Sequence, residues 1–361
     1  MSRIRDMRIR QTRVFRKNQS FLPDGSREKD SAVSIHSAYP ISIPTSLIYL
    51  IQEEIMIDHQ ESITAKLCSF VRAHHSTFDR TKIFDDYLAY DLMGEEEYTH
   101  VCDMLRNGLC AQCPAAASHD PDAIQNGVCF LAPIPLSREA YTKHIFEDFL
   151  KAHSHCQYII CGAGMDTFSF RNDNDNITIF EIDHPDTQKY KKTRLETLGW
   201  IIRRNIHFVA VDFAKDDLSQ KLLDAGLDPN IPTFISILGV TYYLTLETLE
   251  DTIRKLDDIT AKQSKIILDF PDKTTFSHHS ERARKLAEMT RQLGENMTHG
   301  FSTYELAKMF MRNHFTVTDH QTPDQIQKLY FDGRKDGLRA YENIHFLTAE
   351  KTEHFISPTY T

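Results

Sequence analysis

Residues 161–171, CGAGMDTFSFR, follow the apolar run Tyr158-Ile159-Ile160 and place Gly162 and Gly164 one residue apart, with Asp166 two positions further on. Glycines at the end of a strand let backbone N–H groups approach a ligand closely. A dinucleotide fingerprint needs a third glycine, and Thr167 stands where it would be. Asp166 would also repel a pyrophosphate, so the loop suits a ligand with a cationic or neutral centre. Glu181 and Asp183 close the next run, ITIFEID, about twenty residues beyond the glycines. A carboxylate there can accept both hydroxyls of a ribose. Asp212 and Phe213 follow the run IHFVAV, placed to take an adenine amino group and cover its ring. A lone acid after a strand is as often a helix N-cap. Three strands in succession ending in acids favour adenosine. S-adenosylmethionine, with a sulfonium, an ammonium and no phosphate, meets these requirements.

The elements that must hold these residues are legible in the apolar pattern. Short runs at 157–161, 177–182, 206–211, 233–238 and 264–270 alternate with amphipathic stretches such as LETLEDTIRKLDDIT. Strands apolar on both faces and separated by helices build a parallel sheet buried between helix layers. The fold class is therefore α/β. FTVTD and NIHFLTA read as later strands pairing antiparallel at one edge. Before the first strand, residues 62–73 have helical spacing with Ser62 as N-cap, DRTKIFDDYLAYDLMG continues in helical style, and 136–153 form a helix with Ser137 as cap. Residues 271–300 read as a helical insertion able to cover the site, or as a solvated charged face.

Composition narrows the partners. The chain has 361 residues, 41% hydrophobic and 26% charged, with net charge -9 and pI near 6.0. An overall acidic balance gives no basis for a nucleic-acid partner, and no run reaches the length of a membrane helix. Seven scattered cysteines suit a reducing, cytoplasmic setting. The Cys110/Cys113 pair lacks the further ligands a zinc site needs. The doublets His74-His75 and His278-His279 read as surface histidines. Residues 1–55 form a basic N-terminal extension, with Arg3, Arg5, Arg8, Arg10, Arg13, Arg16 and Lys17 against Asp6. It reads as an organelle transit peptide, a disordered arm, or an upstream extension of the frame before Met56. The domain proper is expected over 56–361.

The segments PLSREAYTKHIFEDFL, CQYIICGAGMDTFSFR, IFEIDHPDTQKYKK, VAVDF and LGVTYYLTLETL resemble the leucine carboxyl methyltransferase family, including its bacterial branch of O-methyltransferases of polyketide-type secondary metabolism. The likeness runs from about Ser62 to Thr348. It implies a Rossmann-like class I methyltransferase sheet with helical lid elements and S-adenosylmethionine as cofactor, leaving S-adenosylhomocysteine as product. By resemblance, Gly162 and Gly164 meet the methionine end, Asp183 the ribose, and Asp212 with Phe213 the adenine. Gly239 keeps the family's glycine in LGVTYYL. Arg72 would meet the cofactor carboxylate, and Arg138 the carboxylate of cofactor or acceptor, since an Arg fork fixes a carboxylate plane. Tyr242 or Tyr243 would hydrogen-bond the acceptor or wall it in. Leu238 departs from the family, which has an acid there, and Asp166 is the carboxylate left to face the ammonium. The expected reaction is methyl-ester formation on a carboxylate of a small molecule or peptide, which is ionised at neutral pH and needs no base. A phenol or enol acceptor would need a base, for which His184 is the poor candidate on offer. A degenerate cofactor-binding scaffold is the third reading. A dinucleotide-dependent oxidoreductase is disfavoured by Thr167 and Asp166.

Overall fold

A computed structural model describes residues 62–110, 122–212, 215–276, 280–292 and 299–352, together with Glu295 and Met297. The basic extension, Cys113, Phe213 and His278-His279 lie outside the described residues. Ser62 caps helix α1 (Ile63–Phe78) by accepting the Ala65 N–H at 3.1 Å. Helices α2 (Ala89–Met93), α3 (Glu95–Cys110), α4 (Ala123–Leu131) and α5 (Pro133–Ala152) follow.

Three expectations in this region are corrected. The segment 79–94 is helical only over α2, because residues 79–88 are held by partners elsewhere. Asp86 turns inward to Arg72, and the Ile83 N–H donates to His75 Nε2 at 2.8 Å. Helix α5 begins four residues before the expected cap, with Pro133 in its first turn, where no N–H is needed. Ser137 lies inside that helix and donates to the Pro133 carbonyl at 2.6 Å. The doublet His74-His75 is not a surface feature. His75 is fully buried and hydrogen-bonded to Asp79 at 2.5 Å. His74 packs among Phe70, Phe78 and Tyr98, and burial pushes its pKa down to about 4.

The remainder alternates as the pattern requires: β1 (Cys156–Cys161), α6 (Phe168–Arg171), β2 (Ile177–Asp183), α7 (Pro185–Thr197), β3 (Ile206–Ala210), α8 (Leu218–Asp224), β4 (Thr233–Ile237), α9 (Leu246–Asp258), β5 (Lys265–Pro271), α10 (Glu281–Gln292), α11 (Thr303–Arg312), β6 (Phe315–Gln321) and β7 (Ile344–Lys351). The seven strands lie in the order β3-β2-β1-β4-β5-β7-β6. The first five are parallel, and β7 runs antiparallel to both β5 and β6.

Apolar side chains cover both faces of the sheet. On one face Phe146 and Phe149 of α5 pack on Tyr158 and Phe234. On the other, Leu222, Ile253 and Phe310 from α8, α9 and α11 join Ile159, Ile235 and Leu268 in one cluster. Burying each such side chain contributes about 1.5–3 kcal/mol, so the sheet is a stiff platform for whatever stands at its rim. Because β1 pairs with β2 on one side and β4 on the other, the connections leave in opposite directions and open a crevice at the carboxyl ends of these strands. No described helix is long and apolar enough to cross a membrane.

Candidate active site

A cavity of about 640 Å³ occupies that crevice. Its floor is the loop after β1. Gly162 and Gly164 hold φ of 70° and 47°, a region that side chains with a Cβ rarely adopt. A Cβ on Gly162 would come within 2.5 Å of Val240. The loop is fastened to β2, since the Gly162 and Ala163 N–H groups both donate to the Ile182 carbonyl, at 2.8 and 3.0 Å. Asp183, at the end of β2, accepts the Gly164 N–H on one oxygen and the His184 N–H on the other, the latter at 2.7 Å. Burial raises its pKa above the usual carboxylate value, while those two N–H donors act in the opposite direction. Each oxygen keeps a lone pair for a ribose hydroxyl.

Glu181, the other acid of that run, does not reach the cavity. It is buried beneath the loop, with Lys191 Nζ at 2.5 Å and Ser169 Oγ at 2.5 Å. Lys191 also donates to the Asp166 carbonyl at 2.6 Å, so this pair anchors the loop from below. The Asp166 carboxylate accepts the Phe168 N–H at 2.5 Å and lines the cavity. Asp212, beyond β3, is not among the lining residues; its carboxylate is held by Lys215 at 2.7 Å.

The opposite wall comes from α1, α5 and the loop after β4. Arg72 donates to Asp86 at 2.9 Å and to the Met165 carbonyl at 2.8 Å, so two of its donors brace the glycine loop. Arg138 is also buried and is held more loosely. One of its terminal nitrogens is 3.2 Å from Asp269, the other 3.7 Å from Cys68 Sγ, and its Nε has no partner among the described residues. Gly239 makes room for it, because a Cβ there would lie 2.6 Å from the guanidinium. Asp269, fully buried on β5, also accepts the Gly239 N–H and the Tyr242 hydroxyl, each at 2.7 Å. The sequence reading missed Asp269. A single acid inside the apolar run KIILDF was the available signal, since such a charge must have buried partners.

Leu238 lines the cavity as an apolar residue beside Gly239. Tyr243 lines it too, its hydroxyl 3.4 Å from Thr64 Oγ1, which in turn donates to Glu295. The insertion contributes Leu286, Met289 and Thr290 of α10 to the lining, so it covers the site as one expectation held. His184 caps α7 and faces the cavity, its Nδ1 accepting the Asp186 N–H at 3.4 Å. The five described cysteines whose side chains are placed are free thiols, and no metal-binding cluster occurs among the described residues.

Beside Arg138 on α5 stands a second residue the sequence reading passed over. Glu139 is 8% exposed and lines the cavity, yet forms no hydrogen bond or ion pair with any described residue. Burial, with the negative charge of Asp166, pushes its pKa up to about 7 against the pull of Arg72, Arg138 and Arg171.

The strand order, with the last strand inserted antiparallel beside β5, defines a class I methyltransferase fold. The model of the leucine carboxyl methyltransferase family matches residues 65–257, more than half of the chain. A Bacillus subtilis protein named "Putative S-adenosyl-L-methionine-dependent methyltransferase YktD" is 34% identical over 305 residues, covering 82% of this chain and all of that one. A protein of Mycolicibacterium gilvum, named in the same terms, is 25% identical over 197 residues, which are 52% of this chain and 63% of the other. Among solved structures, a DUF574 family protein from Streptomyces avermitilis aligns with a TM-score of 0.49 at 12% identity, over 82% of this chain and 99% of that one. The chain belongs to the leucine carboxyl methyltransferase family.

Proposed function

We propose that this S-adenosylmethionine-dependent methyltransferase esterifies a carboxylate of a small molecule or peptide. The observation that carries the proposal is Arg138, a buried guanidinium in the cavity wall whose Nε has no partner among the described residues and whose approach is cleared by Gly239. A planar carboxylate satisfies such a fork with parallel N–H bonds.

The residues present fit the cofactor. Asp183 offers two oxygens at the ribose position, the glycine loop allows close approach, and the cavity has room for the cofactor and a small acceptor. When bound, S-adenosylmethionine supplies an electrophilic methyl group on a sulfonium leaving group. The protein's share of the work is alignment and exclusion of water. Asp183 and the loop fix one partner, Arg138 orients a carboxylate, and Leu286 with Met289 close the cavity from above. A carboxylate acceptor is ionised already, so no residue has to remove a proton from it.

The test is a mass-spectrometric assay with S-adenosylmethionine and a panel of carboxylates, phenols and enols. Products on carboxylates, cleaved back by mild alkali as methyl esters are, support the reading; alkali-stable ethers overturn it. Arg138→Lys should lower kcat/KM by on the order of 10–100-fold, the loss of one charge-assisted hydrogen bond, with an unchanged circular-dichroism spectrum.

A further inference from the structure

We infer that Glu139, together with Asp166, seats the ammonium group of the cofactor's amino-acid end, so that binding of a ligand bearing that group displaces a proton from Glu139. The inference rests on the cofactor reading above and adds a site residue and a coupling to it.

Four carboxylates line the cavity, and three of them are tied down. Asp183 holds the glycine loop, Asp166 holds the Phe168 N–H, and Glu295 accepts from Ser62 at 2.9 Å and from Thr64. Glu139 alone among them has no hydrogen-bond donor among the described residues, though it is more than nine-tenths buried. A carboxylate in that state is disfavoured as an anion unless it takes a proton or meets a cation. The groups around it are Arg72 on α1, Arg138 on its own helix, Arg171 on α6, Tyr158 on β1 and Asp166 in the loop. All three guanidiniums have other anchors: Arg72 and Arg171 at Asp86, Arg138 at Asp269. Asp166 adds repulsion. In the free protein Glu139 keeps its proton up to about pH 7.

The ligand group follows from the charges at the site. Glu139 and Asp166 both line the cavity and offer two carboxylates to a cation. The ammonium of the cofactor's amino-acid end is that cation and lies between them, while Arg138 is left to the acceptor carboxylate. Leu238 leaves the β4 side of the cavity without an acid, so the ammonium has no competing seat there.

Calorimetric titration of the full chain tests this with S-adenosylhomocysteine, which keeps the amino-acid end, and 5′-methylthioadenosine, which lacks it. For the wild type, S-adenosylhomocysteine should bind about tenfold more tightly at about pH 8 than at about pH 6, given a group titrating near 7. Titrations in buffers of different ionisation enthalpy should show close to one proton released at the lower pH. 5′-Methylthioadenosine should bind equally at both. Glu139→Gln should make S-adenosylhomocysteine binding independent of pH. A pH dependence that survives in Glu139→Gln overturns the inference. Wild-type binding that is the same at both pH values, or a methylthioadenosine response equal to that of the homocysteine, overturns it without any variant. Binding of neither ligand at either pH defeats the cofactor reading itself, and this inference with it.

Discussion

Two glutamates are buried on opposite sides of the glycine loop, and the protein treats them in opposite ways. Glu181, below the loop, has a lysine amine and a serine hydroxyl on its oxygens. Glu139, across the cavity, has neither. The first arrangement spends a buried charge pair on holding a loop in shape. The second leaves a charge unsatisfied where a ligand can satisfy it. Unpartnered burial inside a ligand cavity, more than burial alone, separates a binding group from a structural one.

The contrast can be broken at either end. Lys191→Met should leave Glu181 as an uncompensated buried charge and destabilise the fold by about 3–5 kcal/mol, seen as a lowered urea midpoint. Glu139→Gln should act the other way. The pKa of Glu139 rises from the ordinary 4.5 to about 7 on folding, so the unfolded chain ionises first as pH climbs. Below about 4.5 both states are protonated and the substitution changes nothing. Between there and 7 the wild type loses stability, and above 7 the deficit is complete. At about 1.4 kcal/mol for each tenfold change in proton affinity, the variant should be more stable by on the order of 3 kcal/mol at pH 8. Equal urea midpoints at pH 8 would show that Glu139 is satisfied in the free protein.

Smaller effects sharpen the comparison. Asp183→Ala should weaken S-adenosylhomocysteine binding by about 1–3 kcal/mol through the lost bonds to ribose, read by titration; unchanged affinity would remove Asp183 from the site. Ser62→Ala removes the cap of α1 and one donor to Glu295, and should cost about 1 kcal/mol in thermal stability.

The half of the site around the glycine loop was legible because strand, glycine pair and terminal acid are neighbours in sequence. The left-handed φ of Gly162 and Gly164 follows from the residue type, and all seven expected strands form within about two residues of their predicted bounds. The opposite wall is built by residues brought together across the chain: Cys68, Arg138, Gly239 and Asp269 lie on four separate elements. Local pattern carries no record of such meetings. Arg138 was found through family resemblance, while its neighbour Glu139 was passed over, since nothing in the local pattern distinguishes it from other acids of its helix. Residues 79–88 were misread for the same reason, since the partners that hold them out of a helix, Arg72 and His75, lie on α1.

The position of β7 sets the order in which the molecule can be completed. It lies between β5 and β6, and β6 has no other strand to pair with among the described residues. A nascent chain emerging from the ribosome therefore carries β6 unpaired until residues 344–351 have cleared the exit tunnel. The parallel half, with the whole glycine loop, can assemble before that moment. The topology thus divides the sheet in time: the half with the glycine loop can form first, and the edge can close only once β7 is free to pair.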